Sequence, residues 1–495
     1  MKNYTVTAFV SAAILVACTN VEPPRPYGPV PTSQQLEWQK METNMFVHFG
    51  PNTFTDMEWG SGQEDVDVFA PTDLDCRQWV RTAKAAGMKG IVITGKHHDG
   101  FCLWPNPMSR HTVANSSWRD GKGDVLRELS DACREYGVKF GIYISPWDRN
   151  DPAYGTKEYN EVYRKTLDHA LGNYGDVFEQ WFDGACGEGP DGKQQVYDWP
   201  LFHQTVYSHQ PDAVIFSDIG PGCRWVGNEN GFAGETCWSR LNTAGFTPGK
   251  GAPGADTLQC GNVHGEAWIP VEADVSIRPG WFYRESEDDK VKTLDQLMEI
   301  YYGSVGRNAL LLLNVPPDRR GQFCEIDSLR LVEFRTAIDR IFSVNVAEGA
   351  DARATAVRGC RTVNPTDRDG KAGRVPERFS PQNMLDGDFD TYWTTDDDVT
   401  AASVTFSLDG MQTFNRILLQ EYIPLGQRVS EFNVEALGAD GEWYRIADGT
   451  TIGYKRILLT DGPVTASAVR LNIEKSYACP VLNTFSLHFD SISSF

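Results

Sequence analysis

Between residues 41 and 345, short apolar runs alternate with longer segments of helical periodicity, and this alternation limits the fold more than any other feature. Residues 45–49, 90–94, 139–145, 177–182, 213–217, 267–271 and 309–314 read as buried strands. Between and after them, 74–87, 124–136, 157–174, 195–209, 294–304 and 328–342 carry apolar residues at helical spacing, several stopping at a glycine such as Gly87, Gly137 or Gly175. Parallel strands need crossovers, and strand–helix alternation sustained this long fits a (β/α)8-like barrel better than an open sheet. No glycine-rich phosphate loop follows the first strand, which counts against a dinucleotide-binding fold.

The chain, at 495 residues, exceeds one ordinary core, and its second part changes character. Beyond about residue 350 the helical period disappears. Short alternating strands at 402–407, 416–421, 431–437 and 468–473, set between Gly and Asp turns, predict an all-β sandwich. The expected division is a barrel over 35–345 and a sandwich over 346–495. At the other end, Lys2 and the apolar run 9–17 form a segment of signal-peptide length, closed by Leu15-Val16-Ala17-Cys18. That closure resembles a bacterial lipoprotein cleavage box, with residues 1–18 as signal peptide and Cys18 as the lipidated residue. Residues 19–34, with Pro23, Pro24, Pro26, Pro29 and Pro31, read as an extended tether. The expected location is the bacterial cell envelope, periplasm or cell surface, with membrane contact only through the lipid. A formal charge of −21 excludes nucleic acid as a main partner. The ten cysteines after Cys18 are scattered without CxxC spacing, so a zinc site is not expected and mostly buried free thiols are.

Barrel enzymes place chemistry at the carboxyl ends of their strands. The residues there are His48, Lys96-His97-His98-Asp99, Tyr143, Trp147-Asp148, Trp181, Asp183 and Ser217-Asp218. Strand alternation puts Trp181 and Asp183 on one face and Phe178 and Phe182 on the other. A strand-end carboxylate beside an indole suits a nucleophile facing a sugar ring, and the 14 Trp in the chain fit sugar-stacking surfaces. A metal-dependent barrel hydrolase is the first rival reading, with His48, His97, His98, Asp99 and Asp183 as ligands. Neighbours on a strand point to opposite faces, so His97 and His98 could share a metal only where the backbone breaks, and H-x-H or H-E-x-x-H spacing is absent. A catalytically inactive glycan-binding lipoprotein is the second rival.

Together Met45-Phe46-Val47-His48-Phe49-Gly50, Glu58-Trp59-Gly60, Lys96-His97-His98-Asp99-Gly100-Phe101 and Trp181-Phe182-Asp183-Gly184 resemble glycoside hydrolase family 29, the α-L-fucosidases. The resemblance covers roughly residues 35–345. It implies a retaining exo-glycosidase without a metal or cofactor, acting on fucosylated oligosaccharides or glycoconjugates. It further implies Asp183 as nucleophile, His48, His97 and His98 as ligands of the fucose hydroxyls, and Glu58, Trp59, Tyr143 and Trp181 as pocket lining. The segment Arg224 to Gly231 resembles the stretch bearing the acid/base in the subgroup favouring 1,3- and 1,4-linked fucose, which points to Glu229. Glu235 is its competitor, with Glu266 and Glu285 further out. In the second domain, the run from Asn383 to Trp393 resembles the discoidin-like sandwich, which binds carbohydrate in some proteins and only packs against its neighbour in others. A structural calcium among Asp386, Asp388 and Asp390 is one expectation there and a solvated acidic turn the other; Thr391 stands where an EF-hand requires glycine.

Overall fold

A computed structural model describes residues 21–360 and 377–491. Eight parallel strands close into a barrel: β1 Thr43–Val47, β2 Gly90–Lys96, β3 Lys139–Ile144, β4 Glu179–Trp181, β5 Val214–Ser217, β6 Cys223–Trp225, β7 Val271–Ser276 and β8 Ala309–Asn314, with β8 pairing both β7 and β1. The helices lie where periodicity puts them, as Cys76–Ala85, Val125–Tyr136, Lys157–Asn173, Trp199–His209, Leu294–Gly303 and Glu325–Phe342. Their ends follow local chemistry. Asp124 caps Val125–Tyr136 by accepting from the Arg127 N–H, and Gly137 closes it at φ 70°, a left-handed turn that glycine makes without strain.

The strands depart from expectation in three places. The expected run 177–182 is a strand only over Glu179–Trp181. Phe182 packs in the shell outside the barrel, as alternation requires, whereas Phe178, lying before the strand begins, packs against the interior cluster instead. The glycine-rich excursion hides β6, which follows β5 without an intervening helix. The expected strand 267–271 is divided: Ala267–Trp268 pairs in a hairpin with Arg240–Leu241, and the barrel strand proper is Val271–Ser276.

Phe46, Val92, Tyr143, Trp181, Phe216 and Leu312 form one buried interior cluster with Trp38 from the helix Ser33–Gln39. Burying these large rings supplies about 1.5–3 kcal/mol each.

The second domain is an antiparallel β sandwich. Its strands are β9 Asp351–Ala354, β10 Trp393–Thr394, β11 Ala402–Glu421, β12 Val429–Leu437, β13 Trp443–Gly449, β14 Arg456–Ser476 and β15 Val481–His488. The order is β10-β15-β11-β14-β12-β13, with β9 on β11. The expected strands 402–407 and 416–421 are the two halves of β11, whose ladder with β14 shifts register between Ser407 and Gln412 and again between Phe414 and Arg416. In the acidic turn, Asp386 accepts from the Asp388 N–H and the Thr391 hydroxyl, and Asp388 accepts from the Asp390 N–H.

The two domains share a polar, buried seam. Gln427 accepts from the Ser239 N–H at 2.8 Å and donates to the Cys237 carbonyl at 2.9 Å; Thr451 accepts from the Cys237 N–H. Asn308 accepts from the Tyr454 N–H at 2.7 Å, and Arg456 donates to Glu235. Residues 21–31 form neither helix nor strand, and they lie on the sandwich rather than hanging free. The Tyr27 N–H donates to the Leu425 carbonyl, Arg358 and Arg428 donate to the carbonyls of Glu22 and Arg25, and Val21 packs at Gly359. Cys18 and the signal segment lie outside the described residues. The ten cysteines after Cys18 are free thiols, six of them buried.

Candidate active site

The carboxyl ends of β1 to β4 bring His48, His97, His98, Tyr143, Trp181 and Asp183 into one chamber. Asp183 Oδ2 accepts the Tyr143 hydroxyl at 3.0 Å and lies 3.5 Å from His98 Nε2, while Oδ1 accepts from the Ala185 N–H. Its side chain keeps 27% of its surface exposed, so it is held on both oxygens yet open to a ligand. Trp181 lies against Tyr143, ring centroids 5.2 Å apart, and stacks on Phe216 at 3.9 Å.

His97 and His98 do not take opposite faces. Strand β2 ends at Lys96 after a register shift, and beyond it the two rings lie with centroids 4.2 Å apart. The sequence argument against a shared metal, which assumed unbroken strand there, therefore fails at this point. Of the candidate metal ligands, Asp99 is drawn away, being turned to Asn52 Nδ2 and the Phe101 N–H. The break itself is built by Lys96, which pairs with Asp148 at 3.0 Å and donates to the carbonyls of Ser145 and Trp147. His98 Nδ1 meets Ser145 Oγ at 2.7 Å. His48 Nδ1 donates to the Asn314 amide oxygen at 2.8 Å, and Asn314 is oriented by donating to Ser276 and the Trp281 carbonyl. That fixes Nδ1 as the protonated nitrogen and leaves Nε2 as an acceptor. His97 Nδ1 is buried and has no partner among the described residues.

Burial lowers the pKa of all three imidazoles: His48 to about 3, His98 to about 4 despite the pull of Asp183, and His97 well below its ordinary value. Neutral imidazoles offer one donor and one acceptor each, the pairing that sugar hydroxyls require.

Glu58 receives the Trp281 N–H at 2.7 Å and Arg284 at 2.5 Å. Trp59 is 55% exposed and meets Trp147 edge-on, so it stands at the mouth rather than inside. Glu229 also lies at the mouth, where Trp281 Nε1 donates to it at 3.3 Å. Desolvation by the surrounding walls raises its pKa, and the charges of Asp183 and Glu58 add to that against the Trp281 hydrogen bond. A cavity of about 320 Å³ opens beside it, lined by Phe232, Lys292, Gln296 and Ile300 among others. The competitor Glu235 is instead paired with Arg307 and Arg456 at the domain seam. Glu266 and Glu285 are exposed.

Sequence reasoning missed Trp281, Phe282, Asn314 and Asp274. Trp281 and Phe282 face His48 with centroids at 5.0 and 5.4 Å. Asp274 on β7 accepts Trp225 Nε1 at 2.9 Å, and burial followed by the charge of Glu229 raises its pKa strongly. Only Asn314, at the end of an expected strand, carried a positional signal.

A closed parallel barrel whose strand ends hold a solvent-reachable carboxylate among neutral imidazoles and indoles is suited to a glycoside hydrolase. The family model described as Alpha-L-fucosidase matches residues 27–336, and the F5/8 type C domain model matches 370–483. The chain belongs to the α-L-fucosidase family, glycoside hydrolase family 29, and carries a discoidin-like second domain. It is 41% identical to alpha-L-fucosidase 1 of Arabidopsis thaliana, over 95% of this chain and 89% of that one. A GH29 fucosidase of Ruminococcus gnavus, solved in complex with fucose, superposes with a TM-score of 0.85 at 32% identity, covering 96% of this chain and 97% of that one. A glycoside hydrolase 29 family member from an unknown rumen bacterium gives 0.80 at 39% identity, over 95% and 79%.

Proposed function

We propose that the chamber removes terminal α-L-fucose with retention of configuration, Asp183 acting as nucleophile and Glu229 as acid and then base. The observation that carries this reading is the state of Asp183, held by Tyr143, His98 and the Ala185 N–H yet open on one side. Attack on the anomeric carbon forms a fucosyl ester on Asp183 and breaks the glycosidic bond. Glu229 gives its proton to the departing oxygen, then takes one from the water that cleaves the ester. A raised pKa suits the first duty, and loss of the Asp183 charge on esterification lowers it for the second. His48 Nε2 and the neutral imidazoles of His97 and His98 take substrate hydroxyls, and Trp181 and Trp281 face the apolar parts of the ring. The cavity beside Glu229 receives the departing sugar. The local sequence of 224–231 favours 1,3- and 1,4-linked fucose on oligosaccharides or glycoconjugates. The lipidated Cys18 would hold the enzyme in the cell envelope.

Asp183→Asn should abolish fucose release from a Lewis-type trisaccharide while leaving the fold intact. Glu229→Gln should collapse hydrolysis of that sugar and accumulate fucosyl-enzyme from an aryl fucoside, with azide restoring turnover. Wild-type release by the Asp183 variant would sink the assignment. Azide rescue confined to Glu235→Gln would move the acid/base to a residue the geometry places elsewhere.

A further inference from the structure

Deeper in the barrel, in the strand register below Asp183, lie two carboxyls fully shut off from solvent. Glu179 on β4 and Glu272 on β7 are each 0% exposed, and with the Cys223 thiol their donor atoms lie within 4.8 Å of one another. Each carboxyl receives one indole. Trp38 Nε1 donates to Glu179 at 3.2 Å, and Trp181 Nε1 donates to Glu272 Oε1 at 2.9 Å. The Cys223 thiol points to Glu179 at 3.9 Å. Glu272 Oε2 has no donor among the described residues. The other titratable groups around the pair bring no positive charge. Asp274 stands one layer up on β7, and Tyr143 stacks beside Trp181. Arg224, next to Cys223, spends its guanidinium on the carbonyls of Leu258, Ile269 and Trp238. Two ionised carboxylates in contact in such a place would repel without compensation.

We propose that Glu179 and Glu272 hold a single proton between them, and that this acid pair is the positioning device that fixes the Trp181 indole in the wall of the sugar pocket. The shared hydrogen supplies the donor Glu272 Oε2 lacks, leaving one net negative charge spread over two indole N–H groups. Desolvation raises both carboxyls, Glu179 to about 7 and Glu272 further, the second helped by the charge of the first. That Trp181 bounds a sugar rests on the function proposed above; the shared proton does not. The unfolded chain releases this proton above the ordinary value of 4.5 while the folded pair still holds it beyond the value of about 7 at Glu179, so the pair's contribution to stability falls as pH rises through that range.

Glu272→Gln replaces the proton with an amide that donates to Glu179 and still accepts from Trp181. Thermal unfolding of both proteins should show the variant gaining on the wild type progressively between about pH 5 and 8; a constant difference overturns the shared proton. The infrared spectrum of the wild type at neutral pH should hold a protonated-carboxyl C=O stretch that the variant loses, and its absence from the wild type overturns the proposal on its own. A stoichiometric divalent cation carried by the wild type and missing from the variant would also overturn it, making the triad with Cys223 a metal site. For positioning, the wild-type KM for an aryl fucoside should rise about tenfold at the alkaline pH where the pair loses its shared proton and releases the indole, while the variant's should not. Coincident KM profiles overturn the positioning role even where fucose release is normal.

Discussion

Glu229 sits where its proton is both retained and useful. Its environment raises its pKa, so as a general acid it is competent below that value and loses competence as pH rises through it. The three histidines cannot imitate that limb, since burial keeps them neutral from well below neutrality upward. The kcat profile on a trisaccharide at saturating substrate should therefore fall on its alkaline side. With Glu229→Gln on an aryl fucoside and saturating azide, that alkaline fall should disappear. A fall that persists would assign it elsewhere. His48, His97, His98 and Asp183 were legible because strand ends can be read from hydrophobic runs. Trp281 and Glu229 were harder, since loops after β6 and β7 have no periodicity to mark where they return to the chamber.

Among the elements, the broken end of β2 matters most to the pocket. Lys96 and Asp148 have side chains 4% and 7% exposed, and the lysine ties β2 to the carbonyls after β3 while His97 and His98 turn inward above it. Lys96→Met would strand a buried carboxylate at a cost of about 3–5 kcal/mol. The expected result is a clear drop in the thermal midpoint, together with a fall in kcat/KM larger than the loss of folded protein explains. Full activity in the protein that remains folded would mean the histidines hold their places without it. The same level shows why two strands were misread. Strand β7 alternates Glu272 and Asp274 with apolar residues, and its polar side faces the barrel interior, the reverse of the usual half-buried pattern. β6 is three residues inside a glycine-rich stretch, too short to register as a hydrophobic run.

At the scale of the whole molecule, the sandwich is part of the barrel's construction. The excursion that bears Glu229 continues into Cys237, Ser239 and the Arg240–Leu241 hairpin, whose backbone groups find partners in Gln427 and Thr451 of the second domain. A chain ending at residue 345 loses those partners and the Asn308–Tyr454 contact. It is expected to lose cooperative unfolding and fucosidase activity together; a stable, active barrel alone would show the seam to be incidental. The two-domain plan was readable from the change in periodicity near residue 350, but the seam was not, because its polar groups look like ordinary loop residues until their partners arrive from far along the chain. The segment at 21–31 has a different consequence. Val21 is pinned to the sandwich at Gly359, and three residues of any chain span at most about 11 Å. An acyl chain on Cys18 would thus bring the bilayer almost against the sandwich. With the proposed anchor, the enzyme would search for fucose only in a thin layer near the membrane, grazing glycans that come within reach rather than casting about for them.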